Sequence, residues 1–436
     1  MKEHAKTGLL LLLVALSFYL SWRLFWPQGE GSGAAPSAGT PILFPGSVSQ
    51  VPDDLFSPFA VTDWRDGLRW TPADAGIFPE VQSFFRRALR AIPEKAWREA
   101  DLLAWDDTRR GDLELEWLGP VSLAAALWKP GDTGCRAGED LTFRRLSLRE
   151  DEEGWVLGMW EGNSGREVSL PLLPDDPGRL LDWLSHQPGE PIREAKLPPG
   201  WEAAGPLPLP ASLPEVAAIP IKWEEFPAAV HVAEAFFPDM AVVRQIDLSA
   251  DQVLFTDRQS TLHLDRNLRY EALRASFPGS WCLGQAMGQV GRFVARHGGW
   301  PEEPLLPWSL SQADGQLEVA WAQRVGFYPA VDLRPPLSLR LDGQGVRNYE
   351  RRLFRPLPLL PGQKGLKVKD PLAILKAWTE EGGQPFPVEA IFLVWRLPGD
   401  PPQPQVLMPT WLFLPAEGSP LWAHAWTGDI LPAEGR

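Results

Sequence analysis

At 436 residues and 44% apolar content, the chain is long enough for roughly two to four domains with real cores. Its 42 basic and 56 acidic side chains leave a net charge of −14, and no dense Lys/Arg block follows the N-terminal apolar run. That balance excludes nucleic acid and an anionic membrane surface as electrostatic ligands.

The first element in the chain is the run T-G-L-L-L-L-L-V-A-L-S-F-Y-L-S-W-R-L-F-W, Thr7 to Trp26. At ~1.5 Å per helical residue it reaches ~30 Å, the thickness of a bilayer's hydrocarbon core. Arg23, its one charge, sits near the outer end, where the stem can lift the guanidinium to the interface. Tyr19, Trp22 and Trp26 fall where aromatic belts form. Lys2 and Lys6 mark residues 1–6 as a cytoplasmic tail, so 7–26 is expected to be a single membrane helix with the bulk of the chain extracytoplasmic. A cleaved secretory signal is the rival reading, since Ser32, Ala34, Ala35 and Ala38 follow. The run is longer than a usual signal core and Arg23 interrupts the approach to a cleavage site, so the anchor is preferred.

Residues 27–50, rich in Gly, Ser, Ala and Pro, read as a flexible stalk. An N-terminal α+β domain is expected over 51–195. In it, Val81, Phe84, Phe85, Ala88 and Ile92 share one face of a helix that Pro93 closes. Strands are expected at 113–117, 121–128, 141–148, 155–161 and 167–173, followed by a short helix that Asp175-Asp176-Pro177 caps. Residues 196–214 form a proline-rich linker. A middle domain, 215–275, and a C-terminal domain, 276–436, then repeat one order. Predicted helices at 224–237, 281–296 and 370–381 each lead into a three-stranded antiparallel meander. Asp342-Gly343 is a hairpin signal, and Asp370-Pro371 opens the last helix. Helix packed on one face of a meander is an α+β arrangement. The 46 prolines predict short elements with rigid connections, and most of the 22 tryptophans must be core, Trp395 and Trp411 among them.

Four places carry a family resemblance. The apolar run preceded by a short Lys-bearing tail is one, and Val51-Pro52-Asp53-Asp54-Leu55-Phe56-Ser57-Pro58-Phe59 is a second. The third is Ala235-Phe236-Phe237-Pro238-Asp239, continuing through Leu254-Phe255-Thr256-Asp257 to Leu268-Arg269-Tyr270. The fourth joins Ile391–Arg396 with Leu407-Met408-Pro409-Thr410-Trp411. In order and kind these resemble the YycH/YycI family of membrane-anchored accessory regulators of the WalK–WalR two-component system. Arg258 departs from the pattern, standing where that family often has Gly. The resemblance implies a regulator without catalytic activity and without a cofactor, whose partners are a WalK-like sensor histidine kinase and a YycI-like protein in the membrane. It carries over no catalytic residues.

Chemistry-bearing motifs are sparse. G-x-S-x-G, H-E-x-x-H, Walker and G-x-G-x-x-G patterns are all missing. His231 and Glu234 stand three apart on a predicted helix, as two metal ligands could, but no third ligand falls at useful spacing. Cys282 and His297 lie at opposite ends of a predicted helix, too far apart to touch. Cys135 and Cys282, the two cysteines, leave open one bridge or two unpaired thiols and form no metal spacing. His263 and Asp265 share a strand face that is most simply an exposed edge. The turn Glu150–Glu153 lacks the alternating ligand order of a Ca²⁺ loop. In the span, Thr7, Val14, Ser17 and Ser21 recur at helical spacing as a partner-facing stripe, against the plainer reading of serines bonded back to their own helix. Two other classes stay open: a membrane-tethered, PepSY-like inhibitory module for a protease or peptide, and an anchored hydrolase, which would need a deep polar cleft.

Overall fold

The computed structural model describes residues 41–71, 76–104, 111–132, 140–161, 164–169, 176–275, 279, 282–331, 335–359, 363–396 and 405–432. Among them no helix is long and apolar enough to cross a membrane. The expected span, with Thr7, Val14, Ser17 and Ser21, lies outside the described residues, as does Cys135.

Helix starts follow their caps. Asp176 accepts from the Gly178 N–H to open Pro177–Ser185, and Asp370 accepts from Leu372 N–H to open Pro371–Glu380. Each thereby satisfies one of the donors that a helix start leaves unpaired, while the following proline has no N–H to satisfy. Phe78–Ala91 buries Val81, Phe84, Phe85 and Ala88 along one stripe, and extended backbone at Ile92 ends it before Pro93. One stretch expected as strand divides instead. Leu113–Ser122 is strand, and Leu123–Leu127 is a helix whose cap is the Ser122 hydroxyl accepting from Ala125 N–H. Three successive alanines behind a serine favour that turn over further pairing.

The first sheet is antiparallel and has, in order, strands 208–210, 190–194, 68–70, 60–63, 113–122, 142–151, 154–161, 164–169 and 103–104. Leu113, Leu115 and Trp117 on its central strand share a core with Phe84 and Phe85 of the Phe78–Ala91 helix.

The second sheet fuses three helix-plus-meander units. Ala229–Phe236 precedes strands 244–249, 252–256, 260–264 and 268–272, each antiparallel to the next. Leu283–Arg296 precedes strands 305–313, 316–325, 337–342 and 345–351. Pro371–Glu380 precedes 387–396, 406–415, 421–424 and 430–431. Leu268–Ala272 pairs with Gly345–Arg351, so the boundary expected at 275/276 falls inside a continuous sheet. The third unit joins in parallel, Ala330 opposite Trp395. The architecture is therefore mixed α and β, mostly strand.

Strand Leu305–Ala313 has no counterpart among the expected elements, because Pro304 and Pro307 argue against a strand there. A register shift between Pro307 and Ser309 absorbs the missing donor. This strand packs on the first sheet at Gly119, where a Cβ would stand 1.7 Å from the Trp308 carbonyl oxygen. Many of the tryptophans fill the cores, and several donate their N–H groups to backbone carbonyls, among them Trp117 to Phe56 O, Trp321 to Leu55 O, Trp395 to Val325 O and Trp411 to Lys369 O. Trp395 and Trp411 are buried, in line with their reading as core.

Two stretches read as connectors are docked. Ile42–Leu43 pairs with His297–Gly298 and Ser47–Val48 with Trp300–Pro301, so residues 41–48 are not free stalk. In the proline-rich stretch, Glu202–Ala203 pairs with Pro387–Val388 and Pro208–Pro210 with Ile192–Glu194.

Candidate functional site

The residues singled out for chemistry stay apart. His231 and Glu234 are both exposed on helix Ala229–Phe236, and the described residues contain no metal-competent cluster of three or more side chains. Cys282 caps one end of helix Leu283–Arg296 and His297 the other. Cys282 is disulfide-bonded, which removes the reading of two unpaired thiols. His297 is buried between the rings of Phe236 and Phe293, and its Nδ1 donates to Phe293 O at 2.6 Å. Burial pushes its pKa down to about 4. His263 Nδ1 lies 3.8 Å from Asp265 Oδ2 on a half-buried face. The acidic turn is closed by Asp151 Oδ1, which accepts from the N–H groups of Glu153 and Gly154.

The strongest constellation is one that no motif announces. Arg351 ends strand Gly345–Arg351 and is fully buried. Its Nε and Nη2 donate to the two oxygens of Glu224, both at 2.6 Å, the forked geometry that suits guanidinium to carboxylate. Nη2 also donates to Ser47 Oγ at 2.8 Å, and Nη1 to Tyr349 Oη at 3.2 Å and to Gly299 O. Burial opposes the charge, but Tyr349 and Glu224 outweigh it and hold the pKa above the ordinary arginine value. Phe44 closes the site, its ring 5.1 Å from the guanidinium carbon and edge-on to Phe226 at 5.2 Å.

The bed under Phe44 depends on glycine. Gly298 and Gly299 have φ of +118° and +81°, and a Cβ on Gly298 would stand 2.6 Å from the Phe44 ring. A side chain there would be excluded twice, by conformation and by space. The doublet behind a helix end is the signal by which sequence could have pointed to this place.

A second buried polar group lies on the first sheet. Along Leu113–Ser122, Glu114 and Glu116 alternate with the core residues, a pattern that usually sends carboxylates to water. Here both are buried, with Ala204 and Glu389 closing over the same face through Arg145 and Arg144. Arg69 donates to Glu116 at 2.9 Å, and Arg144 lies 3.0 Å from Glu389. Among the described residues, Glu114 accepts from two neutral donors, Trp64 Nε1 at 2.9 Å and Gly111 N–H at 3.3 Å. Burial pushes its carboxyl up to about 7, against the pull of Arg145.

The remaining surface features are open ones. Strand Arg244–Ser249 is exposed throughout at one edge of the second sheet, but a register shift and the charges of Arg244 and Asp247 are features that keep edges from pairing. A shallow cleft lies between Trp378, Phe386 and Leu421, rimmed by Glu381, Gln384 and Ser419.

No family model matches the chain, and no curated protein does. Among solved structures, an uncharacterized protein from Eubacterium rectale is 11% identical with a TM-score of 0.35, covering 55% of this chain and 93% of that one. The Bacillus megaterium YpeB C-terminal domain is 13% identical with a TM-score of 0.27, covering 47% of this chain and 96% of that one. The crystal structure of YycH from Bacillus subtilis is 13% identical and superposes with a TM-score of 0.51, covering 90% of this chain and 98% of that one. Extending over nearly the whole of both proteins, that match establishes a YycH-like fold for this chain.

Proposed function

We propose that the protein is a membrane-anchored, non-enzymatic regulator of a cell-wall-sensing histidine kinase. It acts through contacts of its span and its extracytoplasmic body with the kinase and with a YycI-like protein. The observation that carries this reading is the YycH-like fold over 90% of the chain. The apolar run Thr7–Trp26 supports a single span with the N-terminus in the cytoplasm. The disulfide at Cys282 supports an oxidising compartment for the body. In the span, Thr7, Val14, Ser17 and Ser21 form the face that packs on partner helices by close approach and hydroxyl hydrogen bonds.

The test is crosslinking of the full chain in its native membrane, followed by identification of what is captured. A histidine kinase is expected, and Ser17→Leu with Ser21→Leu lowers its capture while membrane insertion is unchanged. Capture of an extracytoplasmic protease and no kinase overturns the reading. So does recovery of the chain from culture fluid with its first thirty or so residues removed.

A further inference from the structure

We propose that residues 41–48 form a releasable strap, which closes over the Arg351–Glu224 pair and lifts from the body as a unit while both large sheets stay intact. This goes beyond the regulatory reading and stands on geometry alone. Only the use of the strap to pass a signal from a membrane span rests on that reading.

The strap is held differently from everything around it. Its two ladders, Ile42–Leu43 on His297–Gly298 and Ser47–Val48 on Trp300–Pro301, are isolated two-stranded pairings outside the nine- and sixteen-stranded sheets. Peeling them away breaks no ladder of either sheet. Each ladder has two residue pairs, whereas Pro387–Arg396 meets Val406–Pro415 in eight. The outward side chains, Leu43 and Val48, are exposed, so the strap has no cover of its own.

What lies beneath is a charged pair. Phe44 and Ser47 cover the Arg351 guanidinium and Glu224, and Ser47 Oγ is one of the acceptors of Arg351 Nη2. Docking therefore buries a phenyl ring at the expense of dehydrating an ion pair. Lifting the strap returns the pair to water, so the two states oppose apolar burial with ionic hydration. Local openings of this kind are expected where few buried apolar contacts hold a segment. Arg351 ends the strand that pairs both with Leu268–Ala272 and with Leu337–Asp342. A load or a partner acting on the residues before the strap thus reaches the seam between two meanders.

Hydrogen exchange read by mass spectrometry on the full chain in detergent micelles tests this without any kinase. A missing kinase interaction therefore leaves the result untouched. In the wild-type protein, peptides covering 41–50 and 297–301 are expected to exchange together, about tenfold or more faster than peptides within 388–395 and 407–414. Phe44→Ala raises exchange of the first two by about a further tenfold and leaves the latter two as they were. Ser47→Ala, which removes one acceptor and no packing, gives the same pattern with a smaller rise. Two results overturn the strap. One is protection of 41–50 equal to that of 388–395 in the wild-type protein. The other is a rise in Phe44→Ala that spreads equally to 113–122 and 388–395.

Discussion

Arg351 and Glu114 are buried to nearly the same degree, one 0% and the other 4% exposed, yet different partners meet them. Arg351 faces a carboxylate with both of its oxygens engaged, and a hydroxyl, a phenol and a carbonyl take further donors. Glu114 accepts from an indole N–H and a backbone N–H, and the nearest guanidinium effect, from Arg145, does not outweigh burial. The difference teaches what a fold does with a charge it cannot leave in water. Where an opposite charge meets it in forked geometry, the charge is kept. Where only neutral donors reach it, proton uptake near neutral pH is the easier response.

The largest effect comes from splitting the Arg351 pair. Arg351→Met leaves Glu224 buried without its cation, which is expected to destabilise by about 3–5 kcal/mol in urea unfolding. Adding Glu224→Leu removes the stranded charge as well, and the double variant recovers most of that loss, because an apolar pair of similar volume carries no desolvation penalty. A single-variant loss below about 1 kcal/mol would put Arg351 in the same class as a surface residue and erase the contrast with Glu114.

The next effect is a matter of pH and sign. Glu114 has its carboxyl raised from 4.5 to about 7, so the folded state holds a proton that the unfolded chain has released. Its contribution is fully present below pH 4.5 and is lost as pH rises toward 7, a change of about 3 kcal/mol. His297 runs the other way. Its pKa is lowered from 6.5 to about 4, so its contribution is present above pH 6.5 and lost as pH falls toward 4. The two slopes oppose each other in the window between, and the wild-type protein hides both. Glu114→Gln keeps an acceptor for Trp64 and removes the titration. The difference between its stability and the wild-type value should grow as pH rises from 4.5 to 7. His297→Phe, placed among Phe236, Phe293 and Tyr349, should show the opposite slope between pH 4 and 6.5. A Glu114→Gln difference that stays flat across the window would mean that the carboxyl is already ionised and answered like Arg351.

The two regions were not equally legible. The alternation Leu113-Glu114-Leu115-Glu116-Trp117 tells correctly which side chains share a face. What it cannot tell is what covers the polar face, since Ala204 and Glu389 arrive from far along the chain. Arg351 stands next to another arginine in Glu350-Arg351-Arg352, with no pattern to mark one as buried and bidentate. Residues 41–48 continue a stretch rich in Gly, Ser, Ala and Pro, and although Ile42-Leu43-Phe44 stands out in it, ladders two residues long leave no periodicity to read. Local signals fared better, because their causes are local. Aspartates before proline start helices at 176 and 370, and Asp342 accepts from Gln344 N–H in the hairpin turn where it was expected.

The smallest effect isolates backbone strain from buried charge. Arg258 stands where the resembled family often has glycine, and it adopts φ of +74° in the turn between strands Gln252–Thr256 and Ser260–Leu264. Its neighbours hold it there: Thr256 Oγ1 accepts from Arg258 N–H, and Asp257 Oδ1 accepts from Gln259 and Ser260 N–H. An L side chain is strained in that left-handed region and glycine is not. Glycine also loses more freedom on folding, so the two effects partly offset each other. Arg258→Gly is expected to stabilise by about 0.5–1 kcal/mol in urea unfolding. Because neither Glu114 nor His297 is touched, the gain should be the same at pH 5 as at pH 8, within about 0.3 kcal/mol, as for independent sites. A gain that varied with pH would mean that the turn and a buried titrating group are coupled, and the pH slopes assigned to Glu114 and His297 would then need to be measured again in the Arg258→Gly background.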